Sequence, residues 1–273
     1  MEITTTNTKA QAVLDVFQKD HAAFMPYFTL GYPDMETSLA VIEACAANGA
    51  DLIELGVPFS DPLADGPTIQ HSTQVALQNG VTVARCLAGI KMLRERGVTP
   101  PLILMGYYNP ILAYGVGKFV ADALDAGANG FIIPDLPPDE ADEMHTLCLQ
   151  SGLALNFLLS PNSPEARIKL VAERSTGFVY LVSVIGITGA RTSLPVNLQA
   201  FVERVRAHTD KPVAVGFGIS TPEQAQAVGQ VADGVIVGSA LIKTVTNAPD
   251  APRAAGQFVK AMATALHKTT HRS

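Results

Sequence analysis

Two carboxylates eleven positions apart, Glu54 and Asp65, are the residues whose types and spacing most directly suggest chemistry. Glu54 stands near the end of an apolar run, where an ionised carboxylate loses hydration and its pKa should rise. Asp65 follows in a loop rich in proline and glycine, where a carboxylate should keep more of its hydration and its charge. Two carboxylates in such unequal surroundings can divide acid and base roles near neutral pH.

Plainer explanations exist for the same residues. Glu54 could be a buried structural glutamate that the backbone or a neighbour satisfies, although charged residues are rarely buried without purpose. Asp61 lies in the same loop as Asp65 and competes with it, and an aspartate in a loop often only forms a turn. Spacing alone does not choose between Asp61 and Asp65.

Two glycine turns late in the chain favour a phosphate site. They are GFGIS at 216–220 and GSA at 238–240, and each follows an apolar run. Backbone amides and a helix N-terminus at such turns can bind phosphate without a basic side chain. Glycines that only make tight turns are the alternative. Lys243 lies just beyond the second turn and could assist or stay solvated.

Two further features point to a closed, partly aromatic pocket. The glycine-containing stretch at about 184–195 is longer than the usual connection of two to six residues, which predicts a mobile lid, although a plain connection is possible. Tyrosines near the ends of apolar runs could wall an aromatic ligand or simply pack at the rim. They are Tyr27, Tyr107, Tyr108 and Tyr180.

Eight apolar runs bounded by turn residues predict the strands that must position these groups: 23–31, 51–56, 102–107, 130–134, 153–160, 177–183, 212–218 and 234–238. Several show little polar alternation, as parallel strands covered on both faces require. Helical patterns separate the runs, and glycines at 49, 127 and 152 mark passages from a helix into the next strand. About 34 residues per strand–helix pair give eight pairs.

We therefore predict an α/β fold, a single (β/α)8 TIM barrel in one domain over residues 1–273. An extra amphipathic helix at about 7–19 should cover the barrel floor. A frayed polar tail is expected at about 268–273. In such a barrel the chemistry lies at the carboxyl ends of the strands, where both carboxylates and both glycine turns fall.

Composition excludes several classes of function. The 19 basic and 25 acidic residues give a net charge of −6, so nucleic acid is not an expected partner. No apolar run approaches the roughly 18 residues that span a bilayer and no signal-peptide pattern is present, so we expect a cytoplasmic protein without membrane contact. Three widely spaced cysteines are expected to be reduced packing residues. No histidine pairing or cofactor fingerprint predicts a metal or nucleotide site.

Five segments resemble the family of tryptophan synthase alpha subunits, and the resemblance covers almost the whole chain. They are ELGVPFSDPLADGP at 54–67, YNP at 108–110, IPDLP at 133–137, GITGA at 186–190 and GFGIS at 216–220. The resemblance implies a retro-aldol cleavage of indole-3-glycerol phosphate to indole and glyceraldehyde 3-phosphate. It also implies a TIM barrel that holds no cofactor.

The resemblance assigns a role to each matched residue. Glu54 would be the acid/base that takes the proton of the glycerol C3′ hydroxyl and protonates indole C3, and Asp65, rather than Asp61, would bind the indole N–H and stabilise positive charge. Thr188 would close the lid. The phosphate-binding positions implied are Gly189, Gly218, Gly238 and Ser239. The substrate-pocket positions implied are Tyr27, Tyr107, Tyr180 and Phe217.

The family works with a β subunit that holds pyridoxal phosphate and receives indole through a tunnel in an α2β2 complex. The positions that face this partner are matched by Pro58, Asp61 and Asn109. Substrate binding in this chain would therefore be coupled to the activity of the partner. This sequence departs from the family at Val184 and Ile185, which are more apolar than expected for the residues just before the lid. Three alternatives remain: a stand-alone indole-3-glycerol phosphate lyase that releases free indole, a non-catalytic barrel that activates a partner, and a different phosphosugar enzyme.

Overall fold

A sheet of parallel strands forms the centre of the fold in the computed structural model, which describes residues 8–182, 197–216 and 218–268. Within these ranges the strands are β1 (Ala23–Thr29), β2 (Ile53–Gly56), β3 (Leu102–Met105), β4 (Gly130–Ile132), β5 (Ala154–Asn156), β6 (Leu158–Leu159), β7 (Val179–Val182), β8 (Val213–Gly216) and β9 (Gly234–Val237). Almost every strand residue is buried, as predicted for parallel strands covered on both faces.

Helices follow the strands along the described chain and surround the sheet. They are α1 (Lys9–Asp15), α2 (Met35–Ala47), α3 (Pro67–Gln78), α4 (Val83–Glu95), α5 (Tyr108–Tyr114), α6 (Val116–Ala126), α7 (Asp142–Ser151), α8 (Glu165–Arg174), α9 (Leu198–Arg206), α10 (Pro222–Gly229), α11 (Ser239–Thr246) and α12 (Ala251–Leu266). Short 3-10 helices lie at Val16–Gln18 and Pro138–Glu140.

The strands are hydrogen-bonded in the order β5-β4-β3-β2-β1-β9-β8-β7-β6. The two strands at the ends of this order, β5 and β6, are separated in the chain by Phe157 alone, so the sheet closes on itself as a barrel. This confirms the predicted TIM barrel. The prediction of one continuous strand over 153–160 was wrong, because that segment is divided in two.

The division is explained by extra residues in the neighbouring segment 176–180, which lies beside residues 155–157. Its flanking backbone hydrogen bonds run from Thr176 N to Leu155 O (3.0 Å) and from Tyr180 N to Phe157 O (3.0 Å). Between these two hydrogen bonds the chain advances by two residues from Leu155 to Phe157 but by four residues from Thr176 to Tyr180. The extra residues in the second segment form a bulge. The side chain of Asn156 fills the gap, since its Oδ1 accepts a hydrogen bond from Phe178 N over 2.8 Å.

The predicted junctions between helices and strands are confirmed. Gly127 and Gly152 end α6 and α7 in the left-handed conformation, with φ of +94° and +65°, which a side chain would strain. Thr221 begins α10 with a capping box closed by Gln224. These caps fix where each strand begins and ends, and hence which side chains reach the carboxyl end of the barrel.

The amino-terminal helix is shorter than the predicted 7–19, because α1 ends at Asp15 and passes into a 3-10 turn. Phe17 packs on Phe178 with ring centroids 5.6 Å apart, and Lys9 O accepts a hydrogen bond from Asn129. Both partners precede strands, so this segment covers the amino-terminal end of the barrel, as predicted. The predicted tail falls outside the described residues from 269 onward.

None of the helices in the described ranges combines the length and apolar character needed to cross a bilayer. Nor do three His, Cys, Asp or Glu side chains converge as a metal site would require, within the same ranges. The three cysteines, Cys45, Cys86 and Cys148, are buried and free, as predicted.

Candidate active site

A cavity of about 460 Å³ opens at the carboxyl end of the barrel. We call it the central cavity, and its volume is in the range of small-molecule sites. Its lining includes both candidate carboxylates and residues from β1, β3, β7, β9, α11, α12 and the loop after β8: Tyr27, Glu54, Asp65, Met105, Tyr180, Gly218, Ile219, Ile236, Gly238, Ser239, Lys243 and Phe258.

Glu54 lies on β2 and faces this cavity beside Tyr27, its register partner on β1. Its side chain is 0% exposed, and neither carboxylate oxygen has a hydrogen-bond partner among the described residues. Burial raises the pKa of Glu54 to about 8, because the charged form would lose its hydration. The burial predicted for Glu54 is found, and the group is mainly protonated at neutral pH.

Asp65 lies two residues before α3 and is less buried than Glu54. The hydroxyl of Tyr107 donates to its Oδ2 over 3.1 Å, and Gln70 Nε2 donates to its backbone oxygen over 2.8 Å. Burial raises the pKa of Asp65 to about 6, although the Tyr107 hydrogen bond opposes this rise. Asp65 is therefore mainly ionised at neutral pH, and the two carboxylates have unequal surroundings, as predicted.

Asp61, the competing aspartate, is exposed and does not line the central cavity. Its Oδ2 accepts a hydrogen bond from Ser60, within the same loop. The geometry therefore favours Asp65 over Asp61 as the second carboxylate of the cavity.

Tyr27 and Tyr180 line the cavity, and glycines make room for both rings. A Cβ at Gly56 would lie 2.1 Å from the Tyr27 hydroxyl, and a Cβ at Gly216 would lie 2.3 Å from the Tyr180 hydroxyl. Burial holds the pKa of both phenols above its ordinary value, so they stay neutral. Tyr107, also expected at the substrate pocket, does not line the central cavity itself, but its hydroxyl donates a hydrogen bond to Asp65, which does.

Another part of the cavity lining is suited to an anion. Gly218, with φ +81°, lies here with Gly238, which caps the amino end of α11, and Ser239, the first residue of that helix. Amides at a helix N-terminus favour negative charge. Lys243 is the one cationic side chain among the described lining residues.

Several expected residues cannot be placed. Thr188, Gly189 and the lid at about 184–195 lie outside the described residues, as does Phe217. Other residues of the cavity were not predicted. Met105 and Ile236 lie at strand ends, so the barrel rule itself points to them, whereas Phe258 comes from α12 and no motif marks it.

The residues expected to face a partner lie in the loop after β2 and at the start of α5. Asp61 and Asn109 are exposed, while Pro58 is buried in this chain. The side chain of Leu63 is 94% exposed, which is unusual for a large apolar residue. A second cavity of about 580 Å³ adjoins this loop and is lined by Phe59, Ser60, Asp61, Pro62, Leu63, Gln70, Thr73, Gln74 and Leu77.

Comparison with known proteins gives a consistent result. The sequence model of the tryptophan synthase alpha chain matches residues 14–271. The tryptophan synthase alpha chain of Dehalococcoides mccartyi is 51% identical over 243 residues, which cover 89% of this chain and 94% of that protein. A structure of Mycobacterium tuberculosis tryptophan synthase is 38% identical with a TM-score of 0.87, covering 95% of this chain and 98% of that one. The structure of the tryptophan synthase alpha subunit from Legionella pneumophila is 35% identical with a TM-score of 0.87, covering 95% of this chain and 98% of that one.

Proposed function

The chain belongs to the tryptophan synthase alpha chain family, and we propose that it cleaves indole-3-glycerol phosphate through Glu54 and Asp65. The products of this lyase reaction are indole and glyceraldehyde 3-phosphate. One observation carries the assignment of residues: a fully buried Glu54 and a less buried Asp65 line the same cavity. Burial raises the pKa of Glu54 to about 8 and that of Asp65 only to about 6, which favours a protonated Glu54 beside an ionised Asp65. Together they supply one proton donor and one fixed negative charge.

Glu54 moves the proton. Because it begins protonated, it can donate to indole C3, which places positive charge on the ring nitrogen. The bond between C3 and the glycerol carbon then breaks, and its electron pair returns to the ring. The hydroxyl on that carbon becomes the aldehyde as its proton passes to the Glu54 carboxylate. One carboxyl group gives and regains one proton, so the cycle balances.

Asp65 stabilises the charged ring. Its carboxylate can accept the indole N–H and hold the positive charge that develops when C3 is protonated. The hydrogen bond from Tyr107 supports this role, because it favours the ionised form of Asp65. A protonated Asp65 would offer no such charge, so the reaction needs the two carboxylates in different states.

The polarity of the cavity matches a substrate with an indole at one end and a phosphate at the other. Tyr27, Tyr180 and Met105 supply apolar surface near the carboxylates. Gly218, Gly238 and Ser239 supply the anion side, where backbone amides and the helix N-terminus would bind the phosphate. These residue roles, and a phosphate contact from Gly189, are part of the proposal.

The partner of this family is the tryptophan synthase β subunit, with which the alpha chain forms an α2β2 complex. The alpha chain needs no cofactor, and pyridoxal phosphate belongs to the β subunit. We place the β subunit against the exposed Asp61, Leu63 and Asn109, with Pro58 behind them. Since Tyr107 contacts Phe59 (5.3 Å between ring centroids) and Asp65, this surface is linked to the site.

Two broader expectations are also proposed. The first and last strands build the same cavity, which supports one functional domain over residues 1–273. Free, buried thiols at Cys45, Cys86 and Cys148 are typical of a reducing compartment, which supports the cytoplasm as the place of action.

The direct test is to incubate the purified chain with indole-3-glycerol phosphate, alone and with a β subunit, and to quantify both products. Slow cleavage that rises sharply with the β subunit is expected. Fast cleavage without it would support the stand-alone lyase instead. Absence of products in both conditions would overturn the assignment and leave a phosphate-binding barrel.

A further inference from the structure

A chain of buried hydroxyl groups lies behind the central cavity. Thr29, the last residue of β1, and Ser72, on α3, are both 0% exposed, and their side-chain oxygens are 2.7 Å apart. Ser72 Oγ also donates to Ile69 O within its own helix over 2.9 Å. The Tyr27 hydroxyl lies 3.4 Å from Thr29 Oγ1 on the other side.

The directions of these hydrogen bonds follow from counting hydrogens. A hydroxyl carries one hydrogen, and that of Ser72 goes to Ile69 O. Thr29 must then donate to Ser72, which leaves Tyr27 as the donor to Thr29. Every hydrogen therefore points away from the cavity, from Tyr27 through Thr29 and Ser72 to the backbone of α3.

The hydroxyl pair joins two elements that are adjacent to the two carboxylates. The helix α3 begins at Pro67, two residues after Asp65. Strand β1 is bonded to β2 in a register that pairs Tyr27 with Glu54 and Thr29 with Gly56. A contact between Thr29 and Ser72 thus fixes the helix that follows Asp65 against the strand beside Glu54.

We propose that Thr29 and Ser72 are positioning residues, which hold Asp65 at its working distance from Glu54. The inference rests on the proposed function and deepens it, because it extends the site to two residues that touch neither the cavity nor the substrate. Buried hydroxyl pairs fix geometry because neither oxygen has water as an alternative partner. Displacement of a reacting group by about 1 Å can cost a hundredfold in rate.

Three variants test the rate effect. Thr29→Val keeps the shape and removes the hydroxyl, Ser72→Ala removes one oxygen from a helix, and Thr29→Ser keeps the hydroxyl. With indole-3-glycerol phosphate, we expect kcat of the first two to fall about tenfold or more, with a smaller change in KM. Thr29→Ser should stay within about twofold of the wild type. Wild-type kcat in both hydroxyl-free variants would overturn the proposal.

A matched control separates positioning from stability. Ser175 is also 0% exposed, and its Oγ accepts from Phe157 N on the other side of the barrel. Ser175→Ala should lower the melting temperature as Ser72→Ala does, yet keep the wild-type kcat. If Ser175→Ala lowers kcat as much as Ser72→Ala, the loss reflects destabilisation and the proposal fails.

A double-mutant cycle tests whether the effect passes through Asp65. Calorimetry would measure binding of indole-3-propanol phosphate, an uncleavable analogue, so that no activity is needed. Thr29→Val should weaken binding about fivefold in the wild-type background and less than twofold in the Asp65→Asn background. Equal losses in both backgrounds would overturn the inference. Failure of the wild type to cleave the substrate would instead reject the proposed function.

Discussion

The hydroxyl of Tyr107 donates a hydrogen bond to Oδ2 of Asp65 over 3.1 Å. The Tyr107 hydroxyl oxygen itself accepts a hydrogen bond from Ala64 N over 2.9 Å, which fixes the hydroxyl and directs its hydrogen at the carboxylate. Burial works in the opposite direction and raises the pKa of Asp65. The protonation state of Asp65 therefore depends on a residue of the next strand–helix unit.

Replacement of Tyr107 by Phe should shift the pH dependence of cleavage. The hydrogen bond lowers the pKa of Asp65, so its loss should raise that pKa above about 6. The acidic limb of kcat/KM, which reports ionisation of Asp65, should then move to higher pH by about one pH unit. A pH–rate profile between pH 5 and 8 measures this.

Tyr114→Phe is the matched control for that profile. The Tyr114 hydroxyl also donates to an aspartate, Asp122, over 2.6 Å, but this half-buried pair does not line the central cavity. Its loss should leave the acidic limb in place. An unchanged limb in Tyr107→Phe would contradict the role given to that hydroxyl.

Glu54→Gln should change the pH dependence of stability. The pKa of Glu54 is raised from 4.5 to about 8 in the folded protein, so between these values the folded state holds a proton that the unfolded chain releases. The free energy of unfolding contributed by this group therefore falls as pH rises through that window. The glutamine variant has no such titration, so its free energy of unfolding should exceed that of the wild type by a few kcal/mol near pH 8.5.

Urea unfolding at pH 5.5 and 8.5 would measure the difference. Glu95→Gln, at an exposed position on α4, provides the control and should follow the wild type at both values. An advantage of the Glu54 variant that does not grow with pH would show that the carboxyl titrates normally.

Gly216→Ala should impair substrate binding. The new Cβ would lie 2.3 Å from the Tyr180 hydroxyl, so the ring must move and alter the cavity that it lines. We expect affinity for indole-3-propanol phosphate to fall about tenfold, which is roughly 1.4 kcal/mol. Gly117→Ala meets no atom within 4 Å and should bind as the wild type does. Equal affinities for all three proteins would contradict this view of the pocket.

Leu63→Ser should weaken the response to the β subunit. Leu63 is 94% exposed in the loop after β2, and a partner that covers it would gain its apolar area. The β concentration that gives half-maximal activation should rise about tenfold, the loss expected when one buried interface side chain is truncated. Leu149 on α7 is 57% exposed, and Leu149→Ser is the control. Identical titrations for both variants would place the β subunit elsewhere.

Much of the fold follows from local signals in the sequence. Apolar runs predict the strands, and Gly127, Gly152 and the cap at Thr221 mark helix ends because their backbone chemistry is local. The division of the fifth strand at Phe157 was not predicted. It depends on how the Asn156 side chain fills a bulge by bonding Phe178, 22 positions away, which no local pattern records.

The same limit applies to the candidate site: features set by one local segment could be predicted, and contacts between distant segments could not. The apolar strand around Glu54 is enough to predict its burial and raised pKa. Spacing could not choose between Asp61 and Asp65, because that choice depends on the path of the loop and on Tyr107. Phe258 enters the cavity from the last helix, and the Thr29–Ser72 pair joins elements 43 positions apart. Such contacts arise only when the barrel closes.

We propose that Glu54 supplies and regains the proton during cleavage. Indole formed from indole-3-glycerol phosphate should be quantified for the wild type and Glu54→Gln, both saturated with the β subunit. Glutamine keeps the size but cannot transfer a proton, so we expect kcat to fall by about a thousandfold or more while analogue binding persists. A Glu54→Gln protein that binds the analogue and retains wild-type kcat would contradict the role of Glu54 as the group that transfers the proton.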